Sequence, residues 1–428
     1  MGENNWVSFS MSASTVWKKS IRFAVQTDIG LRRANNQDSH LVQVAQTAKQ
    51  WLERGHLFVV ADGMGAHVAG EVASRLAVET VAKNFISRAA CSVQSIVQSL
   101  YDAHRTIRSH SRQEAYRSMG TTCDALALTP QGAVIGHVGD SRVYRLRGQT
   151  LEQLTFDHSL LWEVCSLTGM AVEEPPEYIP KNQITRSLGP VDNLTVDGEG
   201  PLPIEIGDIF LVCSDGLTGQ VKDEEIGQIL AVFPPDLAVE SLINLANLRG
   251  GPDNITVAVV QTTESPQESE AVDKALSIPG WHWGVLGFTF LSLCGAAGSI
   301  AAGNSFLIMM LAVLTAVSAS AFISLTRNTL FGGSPFLPQS APVGKAPYRT
   351  WKCASSPEFA GTLAKLFSEL QNAAFCRHFN IRSHEAQHYE AKGTEALKSK
   401  NFPEAIRKFL LAINALMYEL KKMRRQKQ

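Results

Sequence analysis

The sequence predicts an α+β fold, with antiparallel sheets and helices packed outside them. Three observations predict it. Seven short β-rich runs end in turn residues: IRFAVQTDIG, HLFVVADG, TCDALALT, GAVIGHVGD, RVYRLRG, DIFLVCSDG and NITVAVVQT. Helical apolar periodicity falls between them, over 69–88, 93–111 and 236–248. Runs such as 133–139 and 142–147 are close enough to pair as hairpins, which implies antiparallel order.

In chain order, residues 1–20 read as a polar leader without the apolar stretch of a secretory signal. Residues 20–262 hold all seven strand-like runs and form one globular domain. The whole chain, at 428 residues, is long enough for two or three units. Its 45% apolar content can bury a core, but 18% charged residues is low and points to a local apolar segment. The net charge of −1 hides an asymmetry. Residues 1–325 carry 22 basic and 33 acidic side chains, and residues 326–428 carry 17 and 7. Seven cysteines, odd in number and widely spaced, suit a reducing cytosol better than a disulfide framework.

Residues 263–280 form a polar linker, acidic at its start, and residues 281–326 the apolar segment. No Asp, Glu, Lys or Arg occurs from 275 to 326. The turn-prone triplet Gly303-Asn304-Ser305 divides that stretch into 284–302 and 306–325, each about the 20 residues a membrane-spanning helix needs. Trp281 and Trp283 stand where an interfacial aromatic anchor belongs. A transmembrane hairpin of two helices is the expectation; one tilted span and a buried soluble hairpin are the alternatives. Two spans return the chain to its starting side. The basic tail then places both flanks in the cytoplasm. Residues 327–355 read as a Gly/Pro-rich linker, irregular over 331–347. A helix opens at Ser356-Pro357-Glu358, with Phe359, Leu363, Leu366, Phe367 and Leu370 on one face. Residues 356–428 as a whole form a basic helical tail. Tyr389, Gly393, Phe402, Ala405, Phe409 and Ala412 match one tetratricopeptide-like helix pair. One such unit cannot bury its own face, so packing on the preceding helix, self-association and a protein partner all stay open. The terminal KKMRRQK could lie on anionic lipid. Nucleic acid fits poorly, because no stacking aromatics accompany the charge.

The chemistry lies at the strand ends. Asp62-Gly63 follows LFVVA, Asp140 follows AVIGHVG, Asp215-Gly216 follows IFLVCS, and Asp253-Asn254 precedes ITVAVV. Asp38 follows a polar Asn-Asn-Gln stretch. Any one of them reads first as a turn residue. Five in one context suggest a shared site whose mutual repulsion needs cations. Oxygen donors without His or Cys suit Mn²⁺ or Mg²⁺.

The runs TDIGLRRANNQDSHL, VVADGMGAHVAGEVAS, SMGTTCDAL, HVGDSRVYRL, LTFDHSL, ITRSLG, LVCSDGLTGQV and GGPDNITVAVV resemble, in order, the successive motifs of bacterial PP2C (PPM) serine/threonine phosphatases. The resemblance implies a PP2C-like sandwich of two antiparallel β-sheets flanked by α-helices, with a binuclear metal centre between the sheets. By motif, Asp62 would bridge both ions and the Gly63 carbonyl would bind one. Asp215 and Asp253 would complete the coordination of the second ion, Asp38 would hold metal waters, and Asp140 would bind a third, weaker ion with Asp215. Arg33 matches the phosphate-binding arginine; alone it would read as a surface charge beside Arg32. Gln37 stands where the family usually has Glu, and Ala66 where it has glycine. His67 matches a common family histidine whose role is either proton donation or structure. Asn254 accompanies Asp253 without an assigned role. His158 reads as a structural turn residue, and 155–190 as the flap bordering the site.

The resemblance implies hydrolysis of phosphoserine and phosphothreonine in proteins by a water activated at Mn²⁺ or Mg²⁺, with Arg33 clamping the phosphate. The expected role is a membrane-anchored enzyme opposing serine/threonine kinases in signalling. A catalytically silent phosphoprotein-binding or scaffold module is the alternative.

Overall fold

In the computed structural model of this chain the described residues are 21–65, 69–88, 91–172, 178–180, 183–263, 343–376 and 383–427. The chain divides into one unit of Met1–Ser265 with Pro342–Gln428 and a second of Pro266–Ala341. All described elements belong to the first. The expected leader 1–20, nearly all of the linker 263–280 and both expected spans lie outside the described residues. Among the described residues no helix is long and apolar enough to cross a membrane.

Two antiparallel sheets form the centre. In sheet 1, β1 (Ile21–Asp28) pairs with β11 (Ile255–Thr262), followed by β10 (Ile209–Cys213), β7 (Arg142–Arg147), β8 (Thr150–Gln153) and β12 (Arg349–Lys352). Sheet 2 runs β2 (Asp38–Gln43), β3 (His56–Met64), β5 (Cys123–Thr129), β6 (Gly132–Val138) and β9 (Asp197–Leu202), with β4 (Gly120–Thr121) on the end of β3. Both faces of the central strands are buried, which is why runs such as LFVVA read as continuous apolar stretches. On β3, Leu57, Val59 and Ala61 face the helical side, while Phe58 meets Phe23 of β1 edge-on, ring centroids 5.7 Å apart.

The expected hairpin between 133–139 and 142–147 does not form. Those strands, β6 and β7, lie in different sheets. Each has a nearer partner: β6 turns back on β5 through Pro130-Gln131, and β7 on β8 through Gly148-Gln149. Two-residue loops set hairpin register better than the longer link between them. That link, Gly139-Asp140-Ser141, therefore carries the chain from one sheet to the other.

Helices close both outer faces. α1 (Ala48–Arg54) precedes β3, while α2 (Ala69–Ser87) and α3 (Val93–His110) bury Ala73, Ala77, Phe85, Ile96 and Leu100 over sheet 2. α4 (Leu160–Thr168) lies in the segment read as a flap, starting at a Ser159 N-cap. α5 (Asp215–Thr218), α6 (Asp223–Val232) and α7 (Pro235–Leu248) follow on the sheet 1 side.

The tail adds a second layer there. α8 (Pro357–Cys376) begins as expected, with the Phe359 N–H donating to Ser356 Oγ at 3.1 Å. α9 (His384–Lys398) and α10 (Phe402–Lys427) fold back on each other so closely that a Cβ on Gly393 would touch the Phe409 ring. Phe359, Leu363, Phe409, Ile413 and Leu416 join the same apolar cluster as Leu242, Ile243 and Ala246 of α7. Inside that interface Asn414 donates to Ser241 Oγ and accepts from Asn244 Nδ2, both at 3.0 Å. The tail thus packs on the domain of residues 20–262 itself. The expected linker 327–355 is also not wholly irregular: β12 extends sheet 1 beside β8, and Tyr348 donates to Glu199 Oε1 at 2.6 Å.

Candidate active site

β2 and β3 are in register so that Asp38 stands directly opposite Asp62. Two carboxylates facing each other across a strand pair repel, so the position is costly without a counter-charge. Asp38 is buried, and its Oδ2 accepts from Ser214 Oγ at 2.8 Å and Thr256 Oγ1 at 2.7 Å. Ser214 lies just past β10 and Thr256 on β11 of sheet 1, so Asp38 joins the two sheets at one rim. The Asp62 carbonyl accepts from the Thr121 hydroxyl and the Thr122 N–H, both at 2.9 Å. Asp215 opens α5 just past β10 and lies within hydrogen-bonding reach of Asp62. Gly216 has no alternative residue, because a Cβ there would penetrate the Asn254 carbonyl.

Electrostatics shows that these groups share one site. Burial first, and then neighbouring carboxylates, raise all four acids. Asp38 rises to about 7 and Asp140 to about 8, each under the added influence of Asp215. Asp62 is pushed well above the carboxylate range, with Asp38, Asp215 and Asp140 as its repelling neighbours. Asp215 is raised by burial and then by Asp253. Asp38 Oδ1, Asp140 Oδ1 and Asp215 Oδ1 are buried and have no hydrogen-bond partner. Buried unpaired acceptors among mutually repelling carboxylates fit a divalent cation bound through oxygen.

Asp253 is placed differently from the expectation of a ligand. Its Oδ2 accepts from Arg33 at 2.6 Å and its Oδ1 from the Asn254 N–H at 2.9 Å, so both oxygens are already engaged. Among the described residues no group of three or more His, Cys, Asp or Glu is arranged to hold an ion. Arg33 itself is half exposed at the rim, and its hydrogen bond to Asp253 raises its pKa.

Asn254 braces three strand-end segments: Oδ1 accepts from the Gln37 N–H at 2.8 Å, while Nδ2 donates to the Ile29 and Asn35 carbonyls at 2.9 and 3.0 Å. The Gln37 carbonyl accepts from the Gly63 N–H at 3.1 Å and Ser74 Oγ at 2.6 Å, and its side-chain amide reaches the Gly65 carbonyl at 3.4 Å. Gly63 thus sits beside Asp62 on β3, tied to the Gln37 loop. His67 lies outside the described residues. His158 is structural, as expected: Nδ1 accepts from the Gly139 N–H at 3.1 Å and Nε2 meets Asp197 Oδ2 at 3.0 Å. It holds the crossing loop that presents Asp140, and burial drives its pKa down to about 4. The sequence reading missed Ser214, Thr256, Thr121 and Thr122. Hydroxyl residues next to strand-ending aspartates were the available signal.

Comparison with known proteins agrees with this geometry. Residues 31–242 match the family described as protein phosphatase 2C. The chain is 36% identical over 255 residues to protein phosphatase PhpP of Streptococcus pneumoniae, covering 58% of this chain and 100% of that one. It is 33% identical over 243 residues to the serine/threonine phosphatase stp of Listeria monocytogenes, covering 55% of this chain and 94% of that one. Among solved structures, the Streptococcus agalactiae serine/threonine phosphatase superposes with a TM-score of 0.51 at 34% identity, over 56% of this chain and 99% of that one. The chain belongs to the protein phosphatase 2C family. It is a protein-serine/threonine phosphatase, and its substrates are phosphoproteins.

Proposed function

We propose that this enzyme hydrolyses phosphoserine and phosphothreonine with the help of divalent cations, Mn²⁺ or Mg²⁺, and that the segment 281–326 anchors it to a membrane. The observation that carries the metal reading is the set of buried, partnerless oxygens on Asp38, Asp140 and Asp215, beside Asp62 at the rim between the sheets. Asp62, Asp215 and the Gly63 carbonyl would hold the core ions, with Asp253 joining on release from Arg33. Asp38 would orient coordinated water, and Asp140 with Asp215 would bind a further ion. When bound, the cations would supply Lewis-acid charge and lower the pKa of water.

The chain's own groups do the rest. Arg33 presents a planar fork at the mouth of the site, able to hold two phosphate oxygens and offset their growing charge. Ser214 and Thr256 keep Asp38 turned inward, and Thr121 and Thr122 fix the Asp62 backbone. The Gln37 amide adds no charge, so one ion would bind more weakly than it would beside a glutamate.

Packing of the tail on the phosphatase domain supports two spans over one, since it keeps the flanks of 281–326 on one side of a membrane. A role opposing serine/threonine kinases in signalling follows from the substrate class. Tail packing uses Ala405, Phe409 and Ala412 internally, which favours a structural role over capture of a separate protein.

The full chain should gain thermal stability with Mn²⁺ and hydrolyse a phosphothreonine peptide. Asp62→Asn should abolish the Mn²⁺-dependent shift and slow hydrolysis by about 10²-fold or more, on the scale of other electrostatic deletions. Hydrolysis that survives exhaustive chelation would overturn the metal reading. Recovery of the full chain in the soluble fraction of lysed cells, unchanged by loss of 281–326, would overturn the anchoring.

A further inference from the structure

A second polar site lies on the helical side of sheet 2. A cavity of about 770 Å³ opens between α3 and the loop 189–194. Its wall carries Arg105 and Arg108, three residues apart on one face of α3, and Arg112 in the turn just past the helix end. Arg105 pairs with Asp102, and Arg108 with Asp192, whose side chain is 80% exposed. So exposed a pair yields readily to a stronger anion. Arg112 has no acidic partner among the described residues.

The cavity also has a buried donor. His104 lines it with only 5% of its surface exposed. Its Nδ1 accepts from the Gly189 N–H at 3.0 Å, which leaves the proton on Nε2. That Nε2 is buried and has no hydrogen-bond partner. An unpaired N–H buried in the wall of a cavity is unfavourable.

The geometry points to a second phosphate-class anion site, formed by the guanidinium groups of Arg105, Arg108 and Arg112 in a cavity that the buried His104 also lines, and separate from the catalytic carboxylates. Several planar forks lining one cavity match a tetrahedral oxyanion better than a flat carboxylate. The volume admits a phosphate together with part of the molecule that carries it. The loop is also tied to the catalytic rim. Leu188 N–H donates to the Thr121 carbonyl at 2.8 Å, and Thr121 N–H returns to Leu188 at 3.1 Å. Thr121 in turn donates to the Asp62 carbonyl. An anion that fixes the 189–194 loop therefore also steadies the strand end that carries Asp62.

Such a phosphate could be a second one on the substrate protein or free orthophosphate, the product of the reaction. The test begins with the full chain in excess EDTA, titrated with orthophosphate by calorimetry at constant ionic strength. An Arg33→Ala background removes the catalytic guanidinium. Binding should persist there and weaken at least tenfold when Arg108→Ala and Arg112→Ala are added. Both side chains reach solvent, so the fold should survive, as circular dichroism would verify. Absence of heat in the Arg33→Ala protein, or equal binding with and without the two arginines, overturns the site. Turnover of singly and doubly phosphorylated peptides by otherwise unaltered enzyme then identifies the source. A tenfold loss of kcat/KM confined to the doubly phosphorylated peptide assigns the site to substrate. A loss of response to added orthophosphate, equal for both peptides, assigns it to the free anion.

Discussion

Sheet 2 is closed by one helical layer, α2 and α3, whose inward side chains are small or aliphatic with Phe85 as the largest. Sheet 1 is closed by α6 and α7 and then by a second layer, the tail helices α8 to α10, sharing one apolar cluster with them. The family match covers the first arrangement and ends at residue 242, well before the tail. The added layer nevertheless reaches fully buried positions: Ala405, Ile406, Leu410 and Ile413 are each 0% exposed. A segment appended to a catalytic domain has here become part of its core. The outer face of α7 is apolar because something covers it.

The largest test of that contrast is truncation. A chain ending at residue 263 would expose the α7 face, including Leu242 and Ala246, and lose β12 from the edge of sheet 1. It should be recovered mainly as aggregate, or bind a hydrophobic dye strongly, as large exposed apolar patches do. A monomeric fragment with a sharp unfolding transition would show that the second layer is dispensable. Next in size is a matched pair of substitutions. Phe409 in the tail and Phe85 in α2 are each 1% exposed, so Phe→Ala at either should cost about 3–5 kcal/mol. Chemical denaturation should show both losses in one transition if the tail and domain fold together. A separate early transition for Phe409→Ala alone would make the tail an independent unit.

The smallest effect sharpens the sheet 2 side. His137, on β6, is fully enclosed, with Nδ1 at 2.6 Å from Asp124 Oδ1 and Nε2 at 2.7 Å from the Phe156 carbonyl. Burial works to lower its pKa, but Asp124 and the Phe156 carbonyl outweigh burial and raise it to about 9. Because the folded value exceeds the unfolded one, near 6.5, the stabilisation is complete below about 6.5 and fades as pH rises through about 9. Stability measured from pH 6 to pH 10 should therefore decline, and His137→Gln should flatten that decline while lowering stability at pH 6. An equally steep decline in the variant would assign it to other groups.

Seven strands and the helices over 69–88, 93–111 and 236–248 were legible because each combines an apolar run with turn residues. The missed strands were β2, β8, β9 and β12, besides the two-residue β4. Three of them are sheet edges, and edge strands such as DSHLVQ and DGEGPL carry polar or Gly/Pro residues that mask the period. The hairpin error at 133–147 came from reading closeness in sequence as pairing, when two tighter turns had already claimed both strands. In the site, the aspartates were legible from their strand-end context. Arg33's grip on Asp253 was not, since a contact across 220 residues leaves no local trace. Nor did any periodicity reveal that the tail's apolar stripe would meet α7.

The bonds at the two margins of the catalytic body constrain what lies between them. Thr262 N–H donates to the Asp208 carbonyl at 2.9 Å, and Val343 exchanges a bond pair with Gly200 at 2.8 and 2.9 Å. Both anchor points thus belong to the single stretch 200–208, which can span no more than roughly 30 Å. The described chain thus leaves this domain at 263 and re-enters it at 343 beside the same short stretch. Loop-closure entropy grows only slowly with length, so such an excursion can be long at little cost to the body. It can also be replaced. A flexible splice of about a dozen residues between 263 and 343 is long enough to close that gap. It would remove the segment proposed as an anchor while leaving the catalytic rim and its second helical layer intact.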